Sequence, residues 1–112
     1  MKKLFVFKND RYKRARGGYS RLLDITCAKC GKHLCFYQKD GPGILKRMYL
    51  DRIFKSENYS GLEKIPFNKI PQFICPQCKE IIGIPYVYKK ENRFAFRLFV
   101  MSITKKIIKN TK

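Results

Sequence analysis

Acidic residues are few in this chain. Aspartate and glutamate number 8 against 26 lysines and arginines, a formal net charge of +18 over 112 residues. A field of that sign favours a polyanionic partner. The abundance of Lys, Ile, Asn, Phe and Tyr is also what an AT-rich genome produces, but that bias does not by itself remove acids. Histidine occurs once, at His33. No serine, cysteine or carboxylate stands with it in a catalytic pattern, so the chain is not expected to be an enzyme and no small-molecule substrate is implied. The phosphate-loop spacing GxxxxGK[ST] is missing, and so are the signatures of RNA-recognition motifs and helix-turn-helix domains. Long hydrophobic runs are missing too. The apolar stretch Leu4 to Phe7 is too short for a signal peptide, and nothing approaches the roughly 18 residues that span a bilayer. The expectation is a soluble, cytoplasmic protein without a membrane partner.

What is present is enough apolar material for one core: 45% of residues are hydrophobic and 14% aromatic. A single domain over 1–112, mainly β with a minor helical part, is expected. Leu4, Phe5, Val6 and Phe7 suggest a strand within Lys2 to Lys8. A basic arm over 9–20 ends in Gly17 and Gly18 and has no apolar periodicity, so it reads as irregular and flexible when unbound. Arg21 to Asp40 reads strand, turn, strand. A segment over 41–71 opens with Gly41-Pro42-Gly43. There Ile44, Leu45, Met48, Tyr49 and Ile53 fall at helix-like spacings among β-favouring residues, and one short helix is predicted. The runs Ile81 to Tyr88 and Arg93 to Ile103 flank the polar tetrad Lys89–Asn92, a pattern for a C-terminal β-hairpin. Pro85 suits an edge or a bulge. The second run is apolar on both faces, as a buried central strand would be. A basic tail occupies 104–112.

Five cysteines are present. Four form two CxxC pairs, Cys27/Cys30 and Cys75/Cys78, and Cys35 is left over. A CxxC turn aims two thiolates at one point, and two such turns complete the four-sulfur tetrahedron that zinc prefers. In a reducing compartment this pattern argues for metal over disulfides. Neither pair precedes a long helix of the kind that activates redox cysteines. Lys29, Lys32 and Lys79 beside the ligands favour thiolate over thiol. Cys35 reads as a small buried apolar residue, and His33 as a surface or supporting residue, not a ligand.

The segments CAKCGKHLCFYQ and CPQCKEIIGIPYVY resemble the zinc-ribbon family, in which two knuckles at the tips of adjacent β-hairpins share one metal. The resemblance implies that Cys27, Cys30, Cys75 and Cys78 hold one structural Zn2+. One departure stands out: 44 residues separate Cys30 from Cys75, against roughly 15 to 20 in a compact ribbon. An inserted subdomain would account for it, as would ligation across two chains of a dimer.

Cations interleaved with aromatics suit a surface that tracks a phosphate backbone and stacks bases. In the arm, Arg11, Lys13, Arg14, Arg16 and Arg21 are candidate phosphate contacts, with Tyr12 and Tyr19 to stack. Lys39, Lys46, Arg47 and Arg52 surround the Gly-Pro-Gly turn, and Lys105, Lys106 and Lys109 stand in the tail. Tyr49 and Phe54 read as core. Nucleic acid is the expected partner, RNA or a ribonucleoprotein ahead of DNA, by analogy with small basic zinc-ribbon proteins that resemble ribosomal ones. The rival reading is a protein-interaction zinc ribbon that docks on an acidic protein such as a transcription component.

Overall fold

The computed structural model describes residues 7–56 and 58–108. Among them, eight strands form two four-stranded antiparallel sheets. Helix is limited to α1 (Arg11–Ala15) and three short 3-10 turns. β1 (Ser20–Cys27) and β2 (His33–Asp40) make the first hairpin. β3 (Arg47–Tyr49) and β4 (Ile53–Phe54) follow, then β5 (Phe73–Ile74), β6 (Ile81–Tyr88), β7 (Arg93–Leu98) and β8 (Ile103–Ile108). The strand orders are β4-β2-β1-β8 and β3-β7-β6-β5. The chain therefore passes between the sheets repeatedly. β3 joins the second sheet, β4 returns to the first, and β8 closes back onto β1 after the β6–β7 hairpin.

Period-2 alternation explains which faces meet. Leu23, Ile25 and Cys27 on β1 and Cys35 and Tyr37 on β2 look inward. They share one core with Met48, Phe73, Ile82 and Phe96 of the second sheet. Phe73 and Phe96 stack with centroids 5.0 Å apart, and Tyr59 packs on Phe73 at 4.7 Å. Cys35 is fully buried, as expected, and burial pushes its thiol up.

Several expectations are corrected. The segment from Ile44 to Phe54 is not a helix: it is β3, one 3-10 turn at Leu50–Arg52, and β4. Its apolar residues serve two sheets, which helical spacing mimics. The run from Arg93 to Ile103 is not one buried strand, because it breaks after Leu98 and turns over Phe99–Ser102, closed by Ser102 N–H to Phe99 C=O at 3.1 Å. The stretch over 104–108 is no free tail but most of β8, paired with β1. The expected hairpin of β6 and β7 is present. Pro85 sits beyond the two-residue β5, where its missing N–H faces an open edge. The strand expected over Lys2 to Lys8 lies outside the described residues as far as Val6.

The basic arm is also organised. Asp10 caps α1 through the N–H groups of Tyr12 and Lys13, at 3.1 and 3.2 Å. The same carboxylate accepts from Arg52 Nη2 at 2.7 Å, while Arg52 Nε donates to Asp40 Oδ2 at 2.9 Å. Arg52 has no exposed surface. Sequence reading made it a phosphate contact; the structure makes it the interior hub that ties arm, β2 and β3–β4 segment together. Its hydrogen bonds to Asp10 and Asp40 outweigh the burial that opposes its charge. The Arg52 bond also holds the Asp10 carboxyl down at about 2.

Removing one partner of a buried pair leaves an uncompensated charge. Arg52→Ala is expected to lower unfolding free energy by about 3–5 kcal/mol in urea titrations; a loss under about 1 kcal/mol would contradict the hub role.

Candidate functional site

The two CxxC turns are built alike. In the first, Cys27 N–H donates to Lys32 C=O at 2.9 Å and Gly31 N–H to Cys27 C=O at 2.8 Å. In the second, Cys75 N–H donates to Glu80 C=O at 2.9 Å and Lys79 N–H to Cys75 C=O at 3.0 Å. The fifth residue of each turn is left-handed, Gly31 at φ 80° and Lys79 at φ 67°. The first turn joins β1 to β2, the second β5 to β6, so each sheet contributes one knuckle. Tyr59 fixes the approach to the second: its hydroxyl accepts from Ile74 N–H at 3.0 Å, one residue before Cys75. The Phe99–Ser102 turn braces both sides. Ala28 N–H donates to Ser102 C=O at 3.1 Å, and Ser102 Oγ donates to Ile82 C=O at 2.9 Å.

Four sulfurs converge. Cys27 and Cys78 lie 3.6 Å apart, as do Cys30 and Cys75, and all four Sγ atoms fall within 4.8 Å of one another. A tetrahedron with metal–sulfur bonds of about 2.3 Å has sulfur–sulfur edges of about 3.8 Å, so the cluster has the dimensions of a four-thiolate metal site. The long separation between the pairs is bridged within one chain. Burial would raise the Cys75 thiol, but N–H donation from Cys78 and Gln77 and the Cys30 thiol bring it down to about 7. Cys78 goes the other way, to about 11: the backbone bond from Glu80 would lower it, but burial and the three neighbouring sulfurs raise it. Thiolates gathered this closely resist full deprotonation unless a cation joins them. His33 stands apart, its Nδ1 donating to Asp24 at 2.6 Å.

Arg11, Tyr12, Lys13 and Arg14 lie on α1, where Tyr12 is held between Arg11 and Arg93, with guanidinium carbons 5.0 and 4.0 Å from its ring centroid. Arg16 is neutralised by a bidentate ion pair in which its Nη1 and Nη2 donate to Glu91 Oε2 and Oε1, each at 2.8 Å. Lys106 faces away from Lys105 on β8, and Lys109 lies outside the described residues.

The remaining cations converge on one side. Lys39, Lys46 and Arg47 line a cavity of about 490 Å³ with Arg16, Tyr49 and Tyr88. Lys105 lines an adjoining groove that shares Lys46 and Arg47 with it. Arg21 lies directly across from Lys39 on β1–β2, beside Tyr19, whose ring centroid is 5.8 Å from its guanidinium. Burial lowers the Lys39 ammonium below its ordinary value, and Arg21, Arg16 and Lys105 add to the effect.

Sequence reading missed four residues here. Tyr86 and Tyr88 share the outer face of β6 with Arg97 of β7 and Arg47 of β3. Arg47 lies 4.6 Å over the Tyr88 ring and Arg97 5.4 Å over Tyr86. The i, i+2 spacing of the tyrosines was the available signal in β6, and reading the run after Arg93 as buried on both faces hid Arg97. Arg93, the fourth, is buried and bound to Asp51 and Glu91 at 2.7 and 3.0 Å. No protein-family model matches the chain, and no curated protein or solved structure matches it either.

The repeated knuckle geometry yields a paired prediction. A side chain in the left-handed region costs about 1–2 kcal/mol. Gly31→Ala should lower the thermal midpoint by about 4 °C or more, and Lys79→Gly should raise it. A midpoint unchanged or raised by Gly31→Ala, or lowered by Lys79→Gly, in scanning calorimetry would contradict the turn assignment.

Proposed function

We propose that the chain is a zinc-stabilised nucleic-acid-binding protein, with RNA or a ribonucleoprotein the favoured partner. The zinc assignment rests on the chemistry of the donor set. Four thiolates close the coordination shell, which suits a structural zinc ion and leaves no position open for substrate. Cys27, Cys30, Cys75 and Cys78 would hold it, and the ion would contribute folding free energy by joining the hairpins.

One observation carries the nucleic-acid reading. Arg47 lies directly opposite Arg97 across β3–β7, and Arg21 opposite Lys39 across β1–β2. Like charges in register are destabilising. Among the described residues none of these four has an ion-pair partner. Asp10, Asp40, Asp51 and Glu91 are instead taken up by Arg16, Arg52 and Arg93. An anion that bridges opposed cations removes the repulsion, and a phosphate backbone offers such anions at regular intervals. Tyr19, Tyr86 and Tyr88 beside them supply rings on which unstacked bases can lie. Unstacked bases are found in single-stranded and looped RNA, which favours RNA over duplex DNA.

Anisotropy titrations with a labelled single-stranded RNA should show affinity falling on the order of a thousandfold between about 50 and 200 mM salt if about eight phosphates are contacted. Arg47→Ala with Arg97→Ala should weaken binding at least tenfold and lower the salt slope by about 1.4. Binding indifferent to salt, or unchanged in the double variant, would contradict the reading. Separately, Cys75→Ser should bring zinc content well below one per chain and lower the unfolding midpoint; retention of both would remove the cysteine from the ligand set.

A further inference from the structure

The most exposed apolar side chains are gathered in one place. Val100 is 92% exposed, Met101 86% and Ile44 80%. All three line a groove of about 440 Å³. Contiguous apolar surface of this kind marks a contact site for another molecule. The groove is rimmed by Lys46, Arg47, Arg97 and Lys105, and no carboxylate lines it. β8 forms one wall through Ile103 and Lys105. β8 is also the last strand of its sheet: it pairs with β1 on one side and, among the described residues, with nothing on the other.

We propose that this groove and the outer edge of β8 together dock an extended, acidic segment of a partner protein, added to the sheet as a further strand. Main-chain hydrogen bonds to an open edge give such a segment its hold, and alternate side chains give it specificity. A strand laid beside β8 continues the face that carries Ile103, Lys105 and Ile107, so every second side chain enters the groove. Apolar ones would cover Val100, Met101 and Ile44, and acidic ones would meet the four rim cations.

Charge selects the occupant. A second copy of this chain would set Lys105 and Lys106 against another lysine-rich edge, an arrangement that lysines on edge strands prevent. A nucleic acid could answer the rim cations but would leave the apolar wall and the open backbone edge without partners. An acidic strand satisfies all three. Met101 holds a left-handed backbone at φ 60°, a conformation costly for a side chain of its size and one that concentrates at binding sites. Its unbranched thioether can adapt to varied apolar partners. The inference goes beyond the RNA reading and does not rest on it.

The test begins with selection from a phage-displayed library of random peptides of about twelve residues on the full chain. Enriched sequences should alternate apolar residues with Asp or Glu. The leading peptide, synthesised, should bind at least tenfold more weakly to Val100→Ser/Met101→Asn, which removes the apolar surface without adding charge beside Arg47 and Arg97, and to Lys105→Glu. On binding, amide exchange over 103–108 should slow at least tenfold. The altered side chains are exposed, so unfolding midpoint and zinc content should hold, and RNA binding should survive the Val100/Met101 change. The proposal is overturned by enrichment of non-acidic sequences, by full binding to both variants, or by unprotected β8 amides. It is equally overturned if the Val100/Met101 change impairs binding to single-stranded RNA or to phosphatidylglycerol vesicles in place of the peptide. Loss of RNA binding by the unaltered chain, with peptide binding intact, would sink the RNA reading alone.

Discussion

The convergence of four cysteine sulfurs at the junction of the two sheets is the constraint around which the molecule is arranged. Cys27 and Cys75 are buried within the shared core, and Cys30 and Cys78 pack against it. A metal ion at that point would draw one knuckle from each sheet into a single coordination shell, fixing the sheets to each other at the end where β1, β2, β5 and β6 meet. The knuckles must present matching turns for this to work. They do so with the same two backbone hydrogen bonds and the same left-handed fifth residue, although one uses glycine and the other lysine. The Phe99–Ser102 turn and Tyr59 hold the two turns at the required spacing, so residues far from the CxxC pairs set the site's dimensions.

The distribution of charge is the second organising feature. A chain with net charge +18 repels itself, and its few carboxylates are used where burial makes them count. Asp10, Asp40, Asp51 and Glu91 engage the guanidinium groups of Arg16, Arg52 and Arg93, joining α1, β2, the 3-10 turn between β3 and β4, and β7. The consequence is a polarised molecule. Its ion pairs stabilise the body, while Arg21 and Lys39 on the first sheet and Arg47 and Arg97 on the second stand as opposed cations without counter-charge, next to tyrosine rings and an apolar groove.

The cysteine cluster was legible in the sequence because CxxC is a local pattern whose turn geometry follows from spacing alone. The β6–β7 hairpin was legible for the same reason, from a polar tetrad between two β-favouring runs. The segment from Ile44 to Phe54 was not. Met48 faces one sheet's core and Ile53 pairs into the other, and that alternation of sheets produces apolar spacings like those of a helix. Arg52 was misread because its neighbours Asp10 and Asp40 are distant in sequence, so nothing local distinguishes a buried hub from a surface cation. The exposed Phe99–Met101 turn was hidden by hydrophobicity itself: an apolar run reads as core unless the fold leaves it uncovered.

The most direct measurement is X-ray absorption at the zinc edge on protein purified without added metal, with zinc per chain measured on the same sample. One zinc per chain bound by four sulfurs at about 2.3 Å is the predicted result. Oxygen or nitrogen in that shell, two chains sharing one ion, or protein that folds without metal would contradict the central role given to the four cysteines.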